Sequence, residues 1–284
     1  MNMRLLICTD LDRTLIPNGP ESESTGARAG FLRFASRPEI TVAYVSGRHR
    51  ALVEKAIDNY QLPIPDFVIG DVGTTLYHVG DAQDWSHQAF WEETIGRDWG
   101  DRSHANLKGL LQSISVLRLQ EPSKQNRYKL SYYVPIQADR GALSHDINNR
   151  LSEVGVQCNL IWSLDEPRGV GLLDVVPANA SKYHAIQALM QQQGFGIGEV
   201  VFCGDSGNDL EVLASEIPSV LVANANDEVK QTALQMSREA GHEHQLYIAR
   251  GDFFGMNGNY SGGMLEGIAH YHPDTLVRME LEES

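Results

Sequence analysis

Short apolar runs alternate with stretches of helical spacing in the first part of the chain. Leu5–Thr9, Thr41–Val45 and Phe67–Ile69 are apolar runs of the length expected for buried strands. The predicted helices Gly26–Arg37 and Arg50–Tyr60 separate them, and the second carries its apolar residues on one face. Strands that alternate with helices in this way predict a parallel sheet with helices on both faces.

From Asp84 to about Pro167 the pattern changes, and Trp, His, Gln and Asn become more frequent. The predicted elements of this segment are helices around Phe90–Trp99, His104–Ile114 and Gly141–Val154, and strands over Tyr128–Val134 and Gln157–Trp162. These strands and helices do not follow the strand–helix–strand order of crossover connections. The segment therefore predicts a separate α+β unit inserted in the sheet domain.

The sheet domain is predicted to resume at the apolar run Gly171–Val176. Its remaining predicted elements are the helix Ser181–Gln193, a strand starting at Val200, and the strands Ser219–Val222 and Leu246–Ile248. The predicted fold class is α/β, with a doubly wound parallel-sheet (Rossmann-like) core and a smaller inserted α+β domain. The core would comprise residues 1–83 and 171–284, and the inserted domain residues 84–170.

Composition narrows the classes of partner. The 284 residues include 37 acidic and 23 basic side chains, a formal net charge of −14. This balance disfavours nucleic acid and anionic membranes, since both attract basic surfaces. It leaves an anionic small molecule open, because bound Mg²⁺ beside a Lys and an Arg can reverse the local field. The four apolar residues before Thr9 are too few for a signal peptide or a membrane span, so a cytoplasmic enzyme is expected.

Two pairs of aspartates mark the candidate site. Asp10 and Asp12 follow the first predicted strand, and Asp205 and Asp209 follow the apolar run Val200–Cys203. Ligands of a parallel sheet bind beyond the carboxyl ends of its strands, so the pairs meet if these strands are neighbours. Carboxylates forced together repel one another unless a cation holds them, and oxygen ligation beside a phosphate suits Mg²⁺. Metal-assisted phosphoryl chemistry is the leading hypothesis.

The first pair has the chemistry of a nucleophile with a proton donor. Asp10 and Asp12 are separated by one residue, so their side chains start on the same side of the chain. One carboxylate could attack phosphorus while the other gives a proton to the leaving oxygen and later takes one from water. The Thr14 hydroxyl could steady the loop. A structural turn rich in Asp and Thr is the alternative explanation of the same residues.

Four further positions fit an anion site. Ser46, Gly47 and Arg48 directly follow the second predicted strand, where a hydroxyl and backbone N–H groups can cradle a phosphate. A helix N-cap with a permissive Gly is the alternative. Lys182 lies in the first turn of a predicted helix, where the macrodipole disfavours a cation, so it indicates a nearby anion or simple exposure.

In this order and frame, the residues resemble the motifs of the haloacid dehalogenase superfamily of phosphatases. Those motifs are Asp-x-Asp-x-Thr, Ser/Thr, Lys and Gly-Asp-x-x-x-Asp. They are found here at Asp10–Thr14, Ser46, Lys182 and Gly204–Asp209.

The resemblance implies a role for each residue. Asp10 would accept the phosphoryl group, and Asp12 would be the general acid and base. Ser46 would bind the phosphate, and Lys182 would neutralise the nucleophile and the phosphate. The implied Mg²⁺ ligands are Asp10, the carbonyl of Asp12, Asp205 and Asp209, with Asn208 as a supporting polar contact. Arg13 replaces a Gly that is frequent in the family and is expected to affect the substrate entrance.

The inserted domain lies between the second and third motifs, a position that in this superfamily marks a cap, which closes over the site and selects the substrate. Four segments resemble the sucrose-phosphate phosphatase subfamily: Asp66–Thr74, Tyr128–Tyr132, Gly204–Asp209 and Ser261–Ile268. The resemblance implies a sugar phosphate as substrate, with sucrose 6-phosphate first. Within the cap, Lys129 and Tyr128 could offer a cation and a ring to a sugar. Alternatively, they are a Lys on a polar strand face and a core ring.

Other activities would use the same residues. A phosphatase for another glycosyl phosphate, such as mannosylfructose phosphate, shares every motif, and a sugar phosphomutase with a similar cap would return the phosphate to the sugar. A receiver-like binding protein also has an acidic cluster, a Ser or Thr and a Lys, but lacks the large insertion and the second acidic loop. The expected partner is a small-molecule sugar phosphate. The sequence leaves open the oligomeric state and whether the protein works beside a synthase that makes its substrate.

Overall fold

Two β-sheets organise the chain in the computed structural model, which describes residues 4–80, 84–100, 102–165 and 168–279. The strands are β1 (Leu5–Thr9), β2 (Ile40–Val45), β3 (Phe67–Gly70), β4 (Thr75–Val79), β5 (Trp85–His87), β6 (Arg118–Leu119), β7 (Leu130–Val134), β8 (Cys158–Asp165), β9 (Val170–Pro177), β10 (Val200–Gly204), β11 (Ser219–Leu221) and β12 (Leu246–Ile248). The helices are α1 (Ala27–Ala35), α2 (Arg50–Tyr60), α3 (Ala89–Gly96), α4 (His104–Leu111), α5 (Arg140–Ser152), α6 (Lys182–Gln193), α7 (Leu210–Leu213), α8 (Asp227–Glu239), α9 (Tyr260–Tyr271) and α10 (Leu276–Met279).

The larger sheet confirms the predicted α/β core. Its strand order is β12-β11-β10-β1-β2-β3-β4-β5, and the pairs from β12 to β3 are parallel, whereas β4 and β5 pair in antiparallel fashion. Both faces are buried: Leu5 and Ile7 of β1 belong to one hydrophobic cluster, and Leu6 and Cys8 to the other. Successive side chains of a strand point to opposite faces of the sheet, so a strand that is buried on both faces is apolar at every position.

The smaller sheet carries the inserted α+β unit. Its antiparallel strands have the order β6-β7-β9-β8. On one face, Leu130 and Tyr132 of β7 form a hydrophobic cluster with Leu107 of α4 and Ile147 of α5. The intervening Ser131 lies on the opposite face, since side chains alternate along a strand.

One strand and one short segment were placed in the wrong domain from the sequence. The run Gly171–Val176, predicted to resume the core, is part of β9, which pairs with β7 and β8 in the smaller sheet. Conversely, β5 lies in the segment assigned to the inserted domain but pairs with β4 in the larger sheet. An apolar run identifies a buried strand, but its period does not reveal which sheet it joins.

Among the described helices, none is long and apolar enough to cross a bilayer.

Candidate active site

The carboxyl ends of β1 and β10 lie side by side and bring the two aspartate pairs together. The strands are parallel, and the N–H of Asp10 donates to the carbonyl of Cys203 at 2.9 Å. Asp10 directly follows β1, and Asp205 directly follows β10. Each of the two residues is only 4% exposed. The strand ends therefore converge as expected for a site at the edge of a parallel sheet.

Three buried carboxylates form the centre of the site. One oxygen from each of Asp10, Asp205 and Asp209 lies within 4.8 Å of the other two. Burial raises the pKa of Asp10, the charge of Lys182 opposes this shift, and the neighbouring carboxylates add to it. Burial and the charge of Asp209 raise the pKa of Asp205 to about 7, although Arg13 lowers it. An all-oxygen donor set under this repulsion fits a hard divalent cation such as Mg²⁺.

Lys182 supplies positive charge to this group. Its Nζ lies 3.0 Å from Asp10 Oδ1 and donates to Asp209 Oδ1 at 2.7 Å and Asn208 Oδ1 at 2.9 Å. The side chain is buried at the start of α6, where Ser181 is the N-cap. Burial lowers the pKa of Lys182, but Asp10 and Asp209 outweigh burial and raise it well above its ordinary value. The two carboxylates thus offset the unfavourable position of a cation at a helix N-terminus.

Gly204 permits the turn that brings Asp209 back to the end of β10. A Cβ at Gly204 would lie 2.7 Å from Cγ of Asp209, which is closer than a side chain can approach. Asp209 Oδ2 accepts from the N–H groups of Asp205 at 3.1 Å and Ser206 at 3.0 Å. Because Oδ1 accepts a hydrogen bond from Lys182, the carboxylate of Asp209 holds both the loop and the lysine.

The loop after β1 contacts Asp205 directly. Thr14 is fully buried and donates from Oγ1 to Asp205 Oδ1 at 3.3 Å, which fits its expected role in steadying the loop. Arg13 donates from Nε to Asp205 Oδ2 at 3.3 Å and from Nη2 to the carbonyl of Asn224 at 3.0 Å. The φ of Arg13 is 58°, a conformation that favours Gly. Arg13 therefore contacts Asp205, a candidate metal ligand. Sequence reasoning missed this contact. The available signal was an Arg at a position where the family often has Gly.

Asp12 has partners of its own. Arg48 donates to it bidentately, from Nε to Oδ2 at 2.7 Å and from Nη2 to Oδ1 at 2.5 Å, and Asn18 donates to Oδ1 at 2.7 Å. Partial burial opposes the shift, but the hydrogen bonds and charge of Arg48, with the bond from Asn18, lower the pKa of Asp12. The side chain is 41% exposed. Among the described residues, the group of three close carboxylates does not include Asp12.

The turn after β2 holds the predicted phosphate-binding residues. The N–H of Ser46 donates to the carbonyl of Ile69 at 2.8 Å, and its buried Oγ accepts from the N–H of Arg48 at 3.2 Å. Gly47 is exposed beside them. The Ser46 hydroxyl therefore closes the turn, and the Arg48 guanidinium is paired with Asp12. Their contact with a phosphate stays a prediction.

The predicted sugar contacts lie at the junction of cap and core. Lys129 Nζ is 2.7 Å from Asp71 Oδ1, and both side chains are buried. Burial raises the pKa of the nearby Asp174, against the charge of Lys129. Tyr128 packs edge-on against Trp99, with ring centroids 5.6 Å apart. Sequence reasoning missed Asp71 and Asp174, and the polar Asp174 inside the apolar run of β9 was the available signal.

The turn that carries Asp71 is strained. Asp71, Val72 and Gly73 have φ angles of 51°, 56° and 91°, and a positive φ is an outlier for a β-branched residue such as Val72. A Cβ at Gly73 would lie 2.6 Å from the carbonyl carbon of Ser181. This turn therefore packs directly against the start of the helix that carries Lys182.

A cavity of about 460 Å³ opens beside Lys182. The β8 segment 159–163 lines it from the cap, and Ser206, Asn208 and Glu211 line it from the core. Its volume lies within the range of small-molecule sites, about 300–1,000 Å³. The cavity connects the charged centre with the inserted domain, so it is the candidate location for the leaving group of a substrate.

The parallel sheet, the inserted α+β unit and the acidic centre at the strand ends define the class of this protein as a haloacid-dehalogenase-like phosphatase. The sequence profile of one family within this class, sucrose-6F-phosphate phosphohydrolase, matches residues 3–272. The chain belongs to that family, whose members are phosphoric monoester hydrolases.

Three relatives show how the chain compares with named proteins. It is 52% identical over 280 residues to a putative HAD-like hydrolase of Nitrosococcus oceani, covering 99% of this chain and 75% of the relative. It is 25% identical to probable sucrose-phosphatase 2 of Arabidopsis thaliana, covering 94% of this chain but 60% of that protein. It is 27% identical to mannosylfructose-phosphate phosphatase of Agrobacterium fabrum, covering 94% and 96% of the two chains.

A solved structure shares the fold. The sucrose-phosphatase of Synechocystis, determined with sucrose and phosphate, matches with a TM-score of 0.72 and 24% identity. The match covers 95% of this chain and 98% of that one. It therefore extends over both the core and the cap.

Proposed function

We propose that the protein is a Mg²⁺-dependent phosphatase of sugar phosphates, with sucrose 6-phosphate as the first candidate substrate. The observation that carries the proposal is the buried 3.0 Å contact of Asp10 with Lys182, beside Asp205 and Asp209. A carboxylate held between a cation and a candidate metal site is positioned as a nucleophile towards phosphorus. The family match over residues 3–272 supports a phosphate ester of a sugar.

The proposed reaction has two steps at Asp10. A carboxylate oxygen of Asp10 attacks phosphorus in line, the bond from phosphorus to the sugar oxygen breaks, and that oxygen takes a proton from Asp12. Water then gives a proton to Asp12 and attacks the phosphorus of the aspartyl phosphate, and the bond from phosphorus to the Asp10 oxygen breaks. This second step releases inorganic phosphate and restores both residues. Lys182 offsets charge on the phosphoryl oxygens throughout.

The proposed Mg²⁺ ligands are Asp10, Asp205 and Asp209, with the carbonyl of Asp12 as a fourth. The three carboxylates fit a hard cation because all their donor atoms are oxygens and their mutual repulsion needs a counter-charge. When bound, Mg²⁺ would neutralise this repulsion and polarise a phosphoryl oxygen. Asn208 would support the site by accepting a hydrogen bond from Lys182.

Asp12 must carry a proton to act as an acid, whereas its pair with Arg48 favours the ionised form. In our proposal, Arg48 turns to the phosphate of the entering substrate, where Ser46 and Gly47 offer further donors. Loss of the Arg48 pair raises the pKa of Asp12 towards its ordinary value. The arrival of substrate would thereby prepare the acid for the leaving oxygen.

The sugar would be held between core and cap. Tyr128 and Lys129 are the proposed cap contacts. They do not line the cavity beside Lys182, but Asp71, paired with Lys129, is a further acceptor and directly precedes Val72 of the cavity wall. The named relatives support two sugars, because the Arabidopsis protein is named a sucrose-phosphatase and the Agrobacterium protein a mannosylfructose-phosphate phosphatase. Mannosylfructose phosphate is therefore the second candidate substrate. A cytoplasmic location stays a prediction, and the question of a synthase partner stays open.

The deciding experiment is phosphate release from a panel of sugar phosphates, with Mg²⁺ and with a chelator. The panel contains sucrose 6-phosphate, mannosylfructose phosphate, glucose 6-phosphate and fructose 6-phosphate, and an Asp10→Asn protein is the inactive control. We expect Mg²⁺-dependent release with a preference for sucrose 6-phosphate. A preference for another ester would replace the named substrate, and isomerised sugar phosphate without released phosphate would replace hydrolysis by mutase chemistry.

A further inference from the structure

Glu211 and Lys182 are the two charged residues that line the cavity between core and cap within the described part of the chain. They differ in their surroundings. Lys182 is buried and neutralised by Asp10 and Asp209, at 3.0 Å and 2.7 Å. The Glu211 side chain is 48% exposed, in the first turn of α7, with Oε1 3.7 Å from His184 Nδ1. His184 Nδ1 also lies 2.9 Å from Ser181 Oγ, closer than it lies to Glu211.

The β8 segment 159–163 that lines the cavity from the cap carries no charged side chain and two polar ones. Side chains alternate along β8, and Leu160 and Trp162 pack against the hydrophobic cluster of the cap. Asn159, Ile161 and Ser163 therefore lie on the other face of the strand, and Ile161 packs against the core cluster. Asn159 and Ser163 offer an amide and a hydroxyl, which suit the hydroxyl groups of a leaving group.

We propose that Glu211 makes this cavity selective for phosphate esters of neutral polyhydroxy leaving groups and against leaving groups that carry a second anion. The inference rests on the proposed phosphatase function and names the class of substrate that the same site accepts. The phosphate of a substrate is attracted to Lys182, and the leaving group extends towards Glu211. A carboxylate or second phosphate there meets like charge, and the protein's net charge of −14 has the same sign. Neutral hydroxyls instead donate hydrogen bonds to Glu211.

The test compares substrates that differ only in the second charge. Glycerol 3-phosphate and 3-phosphoglycerate form one pair, and glucitol 6-phosphate and 6-phosphogluconate, which are both open chains, form the other. The readout is the ratio of kcat/KM for the neutral ester to kcat/KM for the acidic ester, at saturating free Mg²⁺. Wild-type protein is compared with Glu211→Gln, which keeps the side-chain size. Glu239→Gln, at the exposed end of α8 outside the cavity, removes the same charge as a control.

We expect a ratio above one in wild type, a fall of about threefold in Glu211→Gln, and no change in Glu239→Gln. The change should appear mainly in KM, because the repulsion already acts on binding. High salt should lower the wild-type ratio and leave that of Glu211→Gln nearly constant. An unchanged ratio in Glu211→Gln, or a wild-type preference for the acidic esters, would overturn the proposal.

Failure of the broader function gives a different result. If wild type hydrolyses p-nitrophenyl phosphate but releases no phosphate from any sugar ester, the proposed sugar-phosphate phosphatase activity fails. The selectivity is then measured from the inhibition of p-nitrophenyl phosphate hydrolysis by the same four esters. Weaker inhibition by the acidic member of each pair, relieved in Glu211→Gln, would still support the role of Glu211. Equal inhibition within each pair would reject it.

Discussion

Lys182 Nζ lies 3.0 Å from Asp10 Oδ1 and 2.7 Å from Asp209 Oδ1, so one buried lysine joins the end of β1 to the acidic loop after β10. All three side chains are nearly inaccessible to water. The contact belongs to the chemistry, since Asp10 is the proposed nucleophile. It belongs equally to the stability of the fold, because buried carboxylates without a counter-charge are costly.

Replacing Lys182 by Met should abolish turnover and lower the free energy of unfolding. The substitution leaves Asp10 and Asp209 buried without their cation, and breaking a buried pair in this way costs about 3–5 kcal/mol. Urea unfolding of the metal-free protein measures the change. The control is Arg238→Ala, which removes an exposed pair with Glu243 worth at most about 1 kcal/mol. Equal stability of the two variants would contradict the argument.

The metal-free protein should lose stability as the pH rises through the range in which Asp205 titrates. Burial and Asp209 raise the pKa of Asp205 from 3.8 to about 7, so the folded state binds this proton more tightly than the unfolded state. The stabilising contribution is therefore complete below pH 3.8 and is lost as the pH passes about 7. Thermal unfolding in a chelator, with Asp205→Asn as the reference without this titration, measures it.

The difference in Tm between wild type and Asp205→Asn should become less favourable to wild type over that window. Added Mg²⁺ should remove much of the loss, because the cation compensates the ionised carboxylates. A difference that grows in favour of wild type with rising pH would show that the repulsion around Asp205 is not felt in the folded protein.

Gly204→Ala should strongly reduce activity although it adds a single methyl group. The new Cβ would lie 2.7 Å from Cγ of Asp209, so that carboxylate or the end of β10 must shift. Both Lys182 and the candidate metal site depend on Asp209. The matched control is Gly109→Ala in α4, where a Cβ meets nothing within 4 Å and should stabilise the helix by roughly 0.5–1 kcal/mol. Steady-state kinetics and Tm of both variants provide the comparison, and full activity of Gly204→Ala would refute the tight turn.

Asp12→Asn should slow hydrolysis of a sugar phosphate by roughly 10²–10⁴-fold while leaving the fold intact. Its side chain is 41% exposed, so little buried contact is lost. The effect on formation of the aspartyl phosphate should depend on the leaving group. Nitrophenolate departs without a proton, so the first burst of p-nitrophenol should be much less impaired than release of a sugar. Equal loss of this first step for both substrates would argue against Asp12 as the general acid.

Lys129→Met should destabilise the protein by stranding Asp71, and the double variant Lys129→Met/Asp71→Leu should be more stable than the sum of the single changes predicts. Lys129 and Asp71 are buried and 2.7 Å apart, so the effects of the two substitutions on the free energy of unfolding should not be additive. A sugar-binding role makes an additional demand: KM should rise for sugar phosphates but not for p-nitrophenyl phosphate. Equal changes for both substrates would restrict Lys129 to a structural role at the junction.

Local sequence patterns predicted the parallel strands of the core but not the antiparallel strands β4 and β5 of the same sheet. Apolar runs such as Leu5–Thr9 and helical spacing over Arg50–Tyr60 predicted elements that the structure contains, because strand and helix periods are encoded within a few residues. The same reasoning assigned Gly171–Val176 to the wrong sheet. Its apolar residues are equally suited to either sheet, and the choice depends on pairing with β7 and β8.

By itself, the sequence determined the alternating α/β frame, the inserted unit and the residue types at the strand ends, because each is a property of contiguous residues. Only the tertiary structure decided which charges meet. It paired Arg48 with Asp12, Lys129 with Asp71, and Arg13 with Asp205. It also placed Glu211 beside the cavity next to Lys182. The physical reason is that these partners come from segments far apart in the chain, so their distances depend on how the two sheets, the turns and the helix ends pack together.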